Sequence, residues 1–142
     1  MKVLILGANG MIGRKFTGLL VAEGSTGRPI TQLVLHDIAM PEKPTAEFPI
    51  AVEAGDISSM TEAERLASHE ADLIVNLAAI VSGEAEANFT KGWEINARGG
   101  WHFLEALRQR HEVSMGKYVP KLVFASSIAV FGPPYPEQIP DD

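Results

Sequence analysis

The sequence predicts an α/β fold, a doubly wound parallel sheet of about five strands in the order 3-2-1-4-5, and three observations predict it. Short runs rich in Val, Leu and Ile alternate with segments of helical periodicity along the 142 residues. A glycine turn, Gly7-Ala8-Asn9-Gly10-Met11-Ile12-Gly13, joins the first run to the first helical segment. An aspartate, Asp37, closes the second run. Helices between strands force parallel pairing through right-handed crossovers, and that gives the sheet its winding.

Each element follows from its pattern. Val3 to Leu6 is continuously apolar, as expected of a strand buried on both faces. Ile12, Phe16, Leu19 and Leu20 mark one face of a helix, which Gly24-Ser25-Thr26-Gly27-Arg28-Pro29 ends. Gln32 to Leu35 is a second strand, terminating at His36-Asp37, and the prolines from Pro41 to Pro49 mark an irregular loop. Ile50 to Glu53 is a third strand. Met60, Ala63, Leu66 and Ala67 trace a short helix with Ser58, Ser59 and Thr61 available as caps. Leu73 to Leu77 is a fourth strand. Ile95, Gly99, Phe103, Ala106 and Leu107 form the inner stripe of a long helix, and Lys121 to Ala125 is a fifth strand. Gly132 to Asp142, with four prolines, reads as loop.

Composition bounds the function. Hydrophobic residues make up 46% and charged residues 21%, as in globular domains, and the length suits one domain. A net charge of -6 speaks against nucleic acid and anionic membrane surfaces as partners. There is no cysteine, so there are no disulfides or thiolate metal sites, and a reducing cytoplasm is the expected location. No apolar stretch approaches the roughly 20 residues that span a bilayer.

The three glycines each have a physical task. Gly7 permits a tight exit from the strand, Gly10 lets backbone approach a pyrophosphate, and Gly13 lets the helix sit close to the sheet. The unpaired N–H groups at the helix start then face the phosphates. A glycine turn alone also fits a ligand-free strand-to-helix junction. Here a buried strand precedes it, an amphipathic helix follows, and an acid closes the next strand, which is the context of a Rossmann dinucleotide site. Asp37 lies 24 positions past Gly13. Its carboxylate can accept hydrogen bonds from both adenosine ribose hydroxyls and repels a 2′-phosphate, so NAD is expected over NADP. A loop aspartate capping a turn is the other reading of Asp37.

Three more segments narrow the class: Asn76-Leu77-Ala78-Ala79 after the fourth strand, Asn96-Ala97-Arg98-Gly99 in the long helix, and Ser126-Ser127-Ile128-Ala129-Val130-Phe131-Gly132 after the fifth. With the glycine turn and Gly55-Asp56-Ile57, the set resembles the extended short-chain dehydrogenase/reductases, the NAD-dependent epimerase/dehydratase family, over essentially the whole chain. Within it, the runs Leu77 to Ala87 and Ser126 to Pro134 are most similar to D-erythronate dehydrogenases. Phe131 stands where sugar-nucleotide epimerases and dehydratases usually carry tyrosine.

The resemblance implies roles that spacing does not supply. NAD is the implied cofactor, held by Gly7, Asn9, Gly10, Met11, Ile12, Gly13 and Asp37. Asp56 and Ile57 would meet the adenine, and Leu77, Ala78 and Ala79 would line the diphosphate and nicotinamide ribose. Asn96 would hold a water in a proton relay; taken alone, a mid-helix asparagine making a local contact is an equal reading. Ser82 would touch substrate. Ser127 would be catalytic, hydrogen-bonding the reacting hydroxyl or carbonyl, whereas composition alone reads Ser126-Ser127 as a turn or cap.

The family's chemistry also needs a tyrosine with a lysine four places on, to take the hydroxyl proton as hydride leaves. Tyr118 is followed at that distance by Leu122 and Tyr135 by Ile139. The expectation is therefore an N-terminal NAD-binding domain, residues 1–142, cut before the catalytic helix and lacking the small substrate domain, and inactive by itself. The intact enzyme would oxidise the C2 hydroxyl of a small sugar acid such as D-erythronate to the 2-oxo acid. A sugar-nucleotide epimerase or dehydratase, or a non-catalytic dinucleotide-binding protein, are the alternatives. An apolar helix face left uncovered is expected to drive self-association, as a homodimer or otherwise. Trp93 and Trp101 read as core or interface packing, and the four scattered histidines form no metal pattern.

Overall fold

The computed structural model describes residues 1–25 and 27–127. The end of the serine segment (Ile128 to Gly132), Tyr135 and the predicted proline-rich loop lie outside the described residues. Five parallel strands form one sheet in the order β3-β2-β1-β4-β5, as the sequence predicts. They are β1 (Lys2–Leu6), β2 (Gln32–Asp37), β3 (Ile50–Ala54), β4 (Leu73–Asn76) and β5 (Lys121–Phe124). Leu6 is level with both His36 and Asn76, so the carboxyl ends of the three central strands finish in one row. That row is where an open α/β sheet receives its ligand.

Strand alternation divides the core. Val3, Ile5, Leu33 and Leu35 point to one face and pack with Leu20 and Phe16 of α1 (Met11–Glu23). Leu4, Leu6, Val34 and Ile74 point to the other and pack beneath α2 (Met60–Ala67) and α5 (Gly100–Val113). Phe103, Ala106 and Leu107 are the buried stripe of α5, at the helical spacing read from the sequence.

Three expectations change. In α1 the inward residues are Gly13, Thr17 and Leu20, while Ile12 and Leu19 are exposed. Gly13 is the reason: with no side chain it becomes the closest contact, so the inward line runs through Gly13, Thr17 and Leu20 with Phe16 beside it, and Ile12 and Leu19 fall outside. Ser59 is the N-cap of α2 but makes no side-chain cap bond, and Ser58 turns its hydroxyl to Asp56 instead. The long helix is also not regular. It is preceded by α3 (Ser82–Ala87) and α4 (Phe89–Gly92), and its first segment, Trp93–Gly99, is a π-helix. Such wide turns cluster at functional sites. Of the two readings of Trp93 and Trp101, their exposure removes core packing and leaves interface packing untested.

Candidate functional site: a dinucleotide cleft

The glycine turn and its neighbours build a cleft of about 450 Å³ at the carboxyl ends of the strands. That volume lies within the range of small-molecule sites. Gly7 adopts φ +81, and a Cβ there would come within 2.7 Å of the Leu77 carbonyl carbon. A Cβ on Gly13 would overlap the Gly7 carbonyl oxygen and the Ala8 backbone. Turn, helix and β4 therefore meet with no room for a side chain. Gly10 is the N-cap of α1, supplies no side-chain bond, and lines the cleft. No acidic side chain occupies the first turn of α1, so its N–H groups stay available to an anion.

Asp37 stands beside this turn at the end of β2. Its Oδ2 accepts the Asn9 N–H at 2.8 Å, and the Asn9 side chain donates to the Ala39 carbonyl at 2.8 Å. One carboxylate oxygen thus fixes the turn, leaving Oδ1 as the more available acceptor for a ribose. Asp37 thus caps the glycine turn and also lines the cleft.

The next wall is the turn after β3. Asp56 Oδ1 accepts both the Ser58 N–H (2.9 Å) and the Ser58 hydroxyl (2.7 Å). His102, buried in α5, is 2.8 Å through Nδ1 from the Ser58 carbonyl, and so ties the turn to the core. A Cβ on Gly99 would lie 3.1 Å from the Ile57 oxygen, which is why a glycine faces this turn.

Beneath the wall lies a polar cluster that the sequence does not reveal. His36 is buried, and its Nε2 is 2.8 Å from Glu62 Oε1. Arg65 grips both oxygens of Glu62 and reaches Glu53 at 2.7 Å, while His69 meets Glu53 from the other side. Burial lowers the His36 pKa below its ordinary value, despite the carboxylate. The Arg65 hydrogen bonds lead the effects that hold Glu62 below the usual carboxylate range. For Glu53, burial pushes upward, but bonds from Arg65 and His69 outweigh it. A charged Glu62 makes Nε2 the donor of a neutral His36.

The structure brings Gly7, Asn9, Gly10, Asp37, Asp56 and Ile57 into the one cleft, with Leu77, Ala78 and Ala79 as its floor. Gly13 supports it from behind, while Met11 and Ile12 are exposed on α1 away from its lining. Asn96 lies on the π-helix beside the cleft. Its Oδ1 accepts the Ile80 N–H and its Nδ2 donates to the Ile80 carbonyl, both at 2.9 Å, which clamps the segment after β4. Ser82 begins α3 on that same segment. Ser127 is exposed just past β5 and is not among the residues lining the cleft. Glu84, Lys91 and Ile95 also line it and were missed. Sequence periodicity gave no sign of α3 and α4, although Glu84 has the charge expected near a helix start.

Among the described residues no cluster of metal ligands occurs, and no helix is long and apolar enough to cross a membrane. Residues 3–142 match the model of the NAD dependent epimerase/dehydratase family. The chain is 31% identical to D-erythronate dehydrogenase of Cupriavidus necator, over all of this chain and 43% of that protein. It is 32% identical to D-erythronate dehydrogenase of Haemophilus influenzae, over 99% of this chain and 42% of that one. A crystal structure described as a nucleoside-diphosphate-sugar epimerase from Agrobacterium tumefaciens superposes with a TM-score of 0.93 at 45% identity, covering 100% of this chain and 42% of the other. A uronate dehydrogenase from the same organism, solved with NAD, shares the fold at TM-score 0.67 and 23% identity, covering 89% of this chain and 40% of that one. The chain thus spans a little over two fifths of the relatives' length. The five-stranded sheet, the glycine turn and the family match agree: this chain belongs to the NAD-dependent epimerase/dehydratase family.

Proposed function

We propose that residues 1–142 form the NAD-binding unit of an oxidoreductase that acts on a small sugar acid, with D-erythronate as the leading substrate. The observation that carries the reading is the one cleft in which the glycine turn with the N-cap of α1, Asp37 and the Asp56–Ile57 turn are neighbours. A dinucleotide fits that order: diphosphate on the glycine turn, adenosine ribose at Asp37, adenine against Asp56 and Ile57. Its bound nicotinamide supplies the hydride acceptor. The residues' own tasks are then distinct. Gly7, Gly10 and Gly13 let backbone approach the diphosphate, and Met11 and Ile12, whose side chains point away from the cleft, would offer it only their backbone N–H groups at the start of α1. Asn96 holds Ile80, and with it the floor Leu77–Ala79, at fixed depth. Ser82, at the start of α3 on the segment after β4, and Ser127, just past β5, would contact substrate, with Ser127 hydrogen-bonding the reacting oxygen.

The pairing of Tyr with Lys four places on does not occur in these 142 residues, so the unit is expected to bind NAD without turnover. The likeness to two D-erythronate dehydrogenases favours net oxidation. The likeness to a nucleoside-diphosphate-sugar epimerase favours the second reading, in which hydride is taken and returned. NADH fluorescence decides between them. With D-erythronate and NAD, the full-length protein should accumulate NADH and the 2-oxo acid. A sugar nucleotide converted without net NADH would overturn the first reading in favour of the second. NAD binding with neither conversion would leave a non-catalytic binding protein. A cytoplasmic site is part of the proposal, supported by the lack of cysteine. So is self-association through the exposed face of Trp93, Trp101, Leu104 and Phe124.

A further inference from the structure

The cleft carries more acid than an anionic ligand favours. Asp37, Asp56 and Glu84 all line it, and a dinucleotide brings the negative charge of its diphosphate. Among the described lining residues Lys91 is the sole cationic side chain, since the buried His36 stays neutral. Lys91 is held in two ways. Its backbone N–H donates to the Asn88 side chain at 3.0 Å, which fixes the start of α4. Its ammonium pairs with Glu84 of α3, so the ion pair links two short helices along the cleft. Ile95, on the π-helix that follows α4, lines the same cleft.

The pair is built to exchange. Both side chains are about half exposed, 49% for Lys91 and 51% for Glu84. An ion pair in that setting contributes little net stability, whereas charge-assisted bonds to phosphate are among the stronger ones. Glu84 occupies the ammonium as a carboxylate would stand in for a phosphate.

We propose that Lys91 is a binding residue for the diphosphate of the dinucleotide, and that Glu84 holds its ammonium at the cleft until the nucleotide displaces it. The proposal rests on the dinucleotide reading of the cleft. It makes the two partners opposite in effect, Lys91 favouring the ligand and Glu84 competing with it. A purely structural brace would make them alike.

Calorimetric titration of the 142-residue chain with ADP and with adenosine separates these cases. Lys91→Gln should weaken ADP binding about fivefold to tenfold, the loss of one charge-assisted contact. Glu84→Gln should tighten it about twofold to threefold, because the competitor is gone. Lys91→Arg should restore the wild-type affinity, adenosine should bind all variants alike, and added salt should narrow the gap between wild type and Lys91→Gln. ADP binding weakened by both variants would make the pair a brace, and binding unchanged by either would leave Lys91 a bystander; each result overturns the proposal while the cleft keeps its nucleotide. Adenosine weakened as much as ADP by Lys91→Gln would overturn it too, because the ammonium would then meet the base. If the wild-type chain bound neither probe, the dinucleotide reading itself would fall, and this proposal with it.

Discussion

Ile5 and Phe124 are both strand residues of one sheet, yet Ile5 is 0% exposed and Phe124 is 59% exposed. The contrast extends to their surroundings. Around β1 and β2 the sheet is covered on both faces, by α1 on one side and by α2 with α5 on the other. Around β5 the residues Val123 and Phe124 stand open, as do Trp101 and Leu104 of α5. The cleft belongs to the covered region and Ser127 to the open one. The half of the molecule that would bind the cofactor is packed within these residues, and the half that would carry chemistry has its apolar surface uncovered.

Mutations should reproduce this division. Ile5→Ala should cost about 4 kcal/mol in a urea titration, as a truncation in a close-packed core, and a loss below about 1 kcal/mol would deny that β1 is the centre of the fold. Glu62→Ala comes next at about 2–3 kcal/mol, because it strips the buried His36 of its partner and Arg65 of its bidentate one. Asp37→Ala should weaken NAD binding about tenfold, through a lost ribose acceptor and the released Asn9 N–H.

Acid should also act on the covered half. The unfolded chain carries His36 at its ordinary pKa of 6.5, and burial lowers it in the fold. Below pH 6.5 the unfolded state therefore binds the proton first, and stability declines as pH falls toward the folded value. Glu53 and Glu62, held below 4.5, add their loss only at lower pH. A stability profile flat from pH 7.5 to about 5 would contradict this account of His36. The smallest effect belongs to the open edge. Phe124→Ala should change stability by less than about 1 kcal/mol, and together with Trp101→Lys it should reduce self-association measured by light scattering.

These two regions also differ in how well the sequence foretold them. Strand order, the glycine turn and Asp37 were legible because each depends on local backbone rules: continuous apolar runs, close approach without Cβ, and an acid at a strand end. The cluster of His36, Glu53, Glu62, Arg65 and His69 was not, since its members come from β2, β3, α2 and the turn after it and meet only on folding. Gly55 gives the one local hint, as a side chain there would strike the Glu62 carboxylate. The π-helix escaped for a different reason. Gly99, Phe103, Ala106 and Leu107 keep ordinary helical spacing, and the wide turns coincide with the clamp of Asn96 on Ile80 and the close approach of Gly99 to Ile57, which form only on folding. Lys91 and Glu84 lie on the short helices α4 and α3, too brief for a periodicity that would place them at the cleft.

Binding of NAD against NADP to the 142-residue chain, measured by calorimetry, tests the central claim most directly. The cleft predicts one NAD per chain and NADP at least about tenfold weaker, with Asp37→Ala erasing the difference, because the carboxylate at the end of β2 repels a 2′-phosphate. Tighter binding of NADP, or no binding of either dinucleotide, would contradict it.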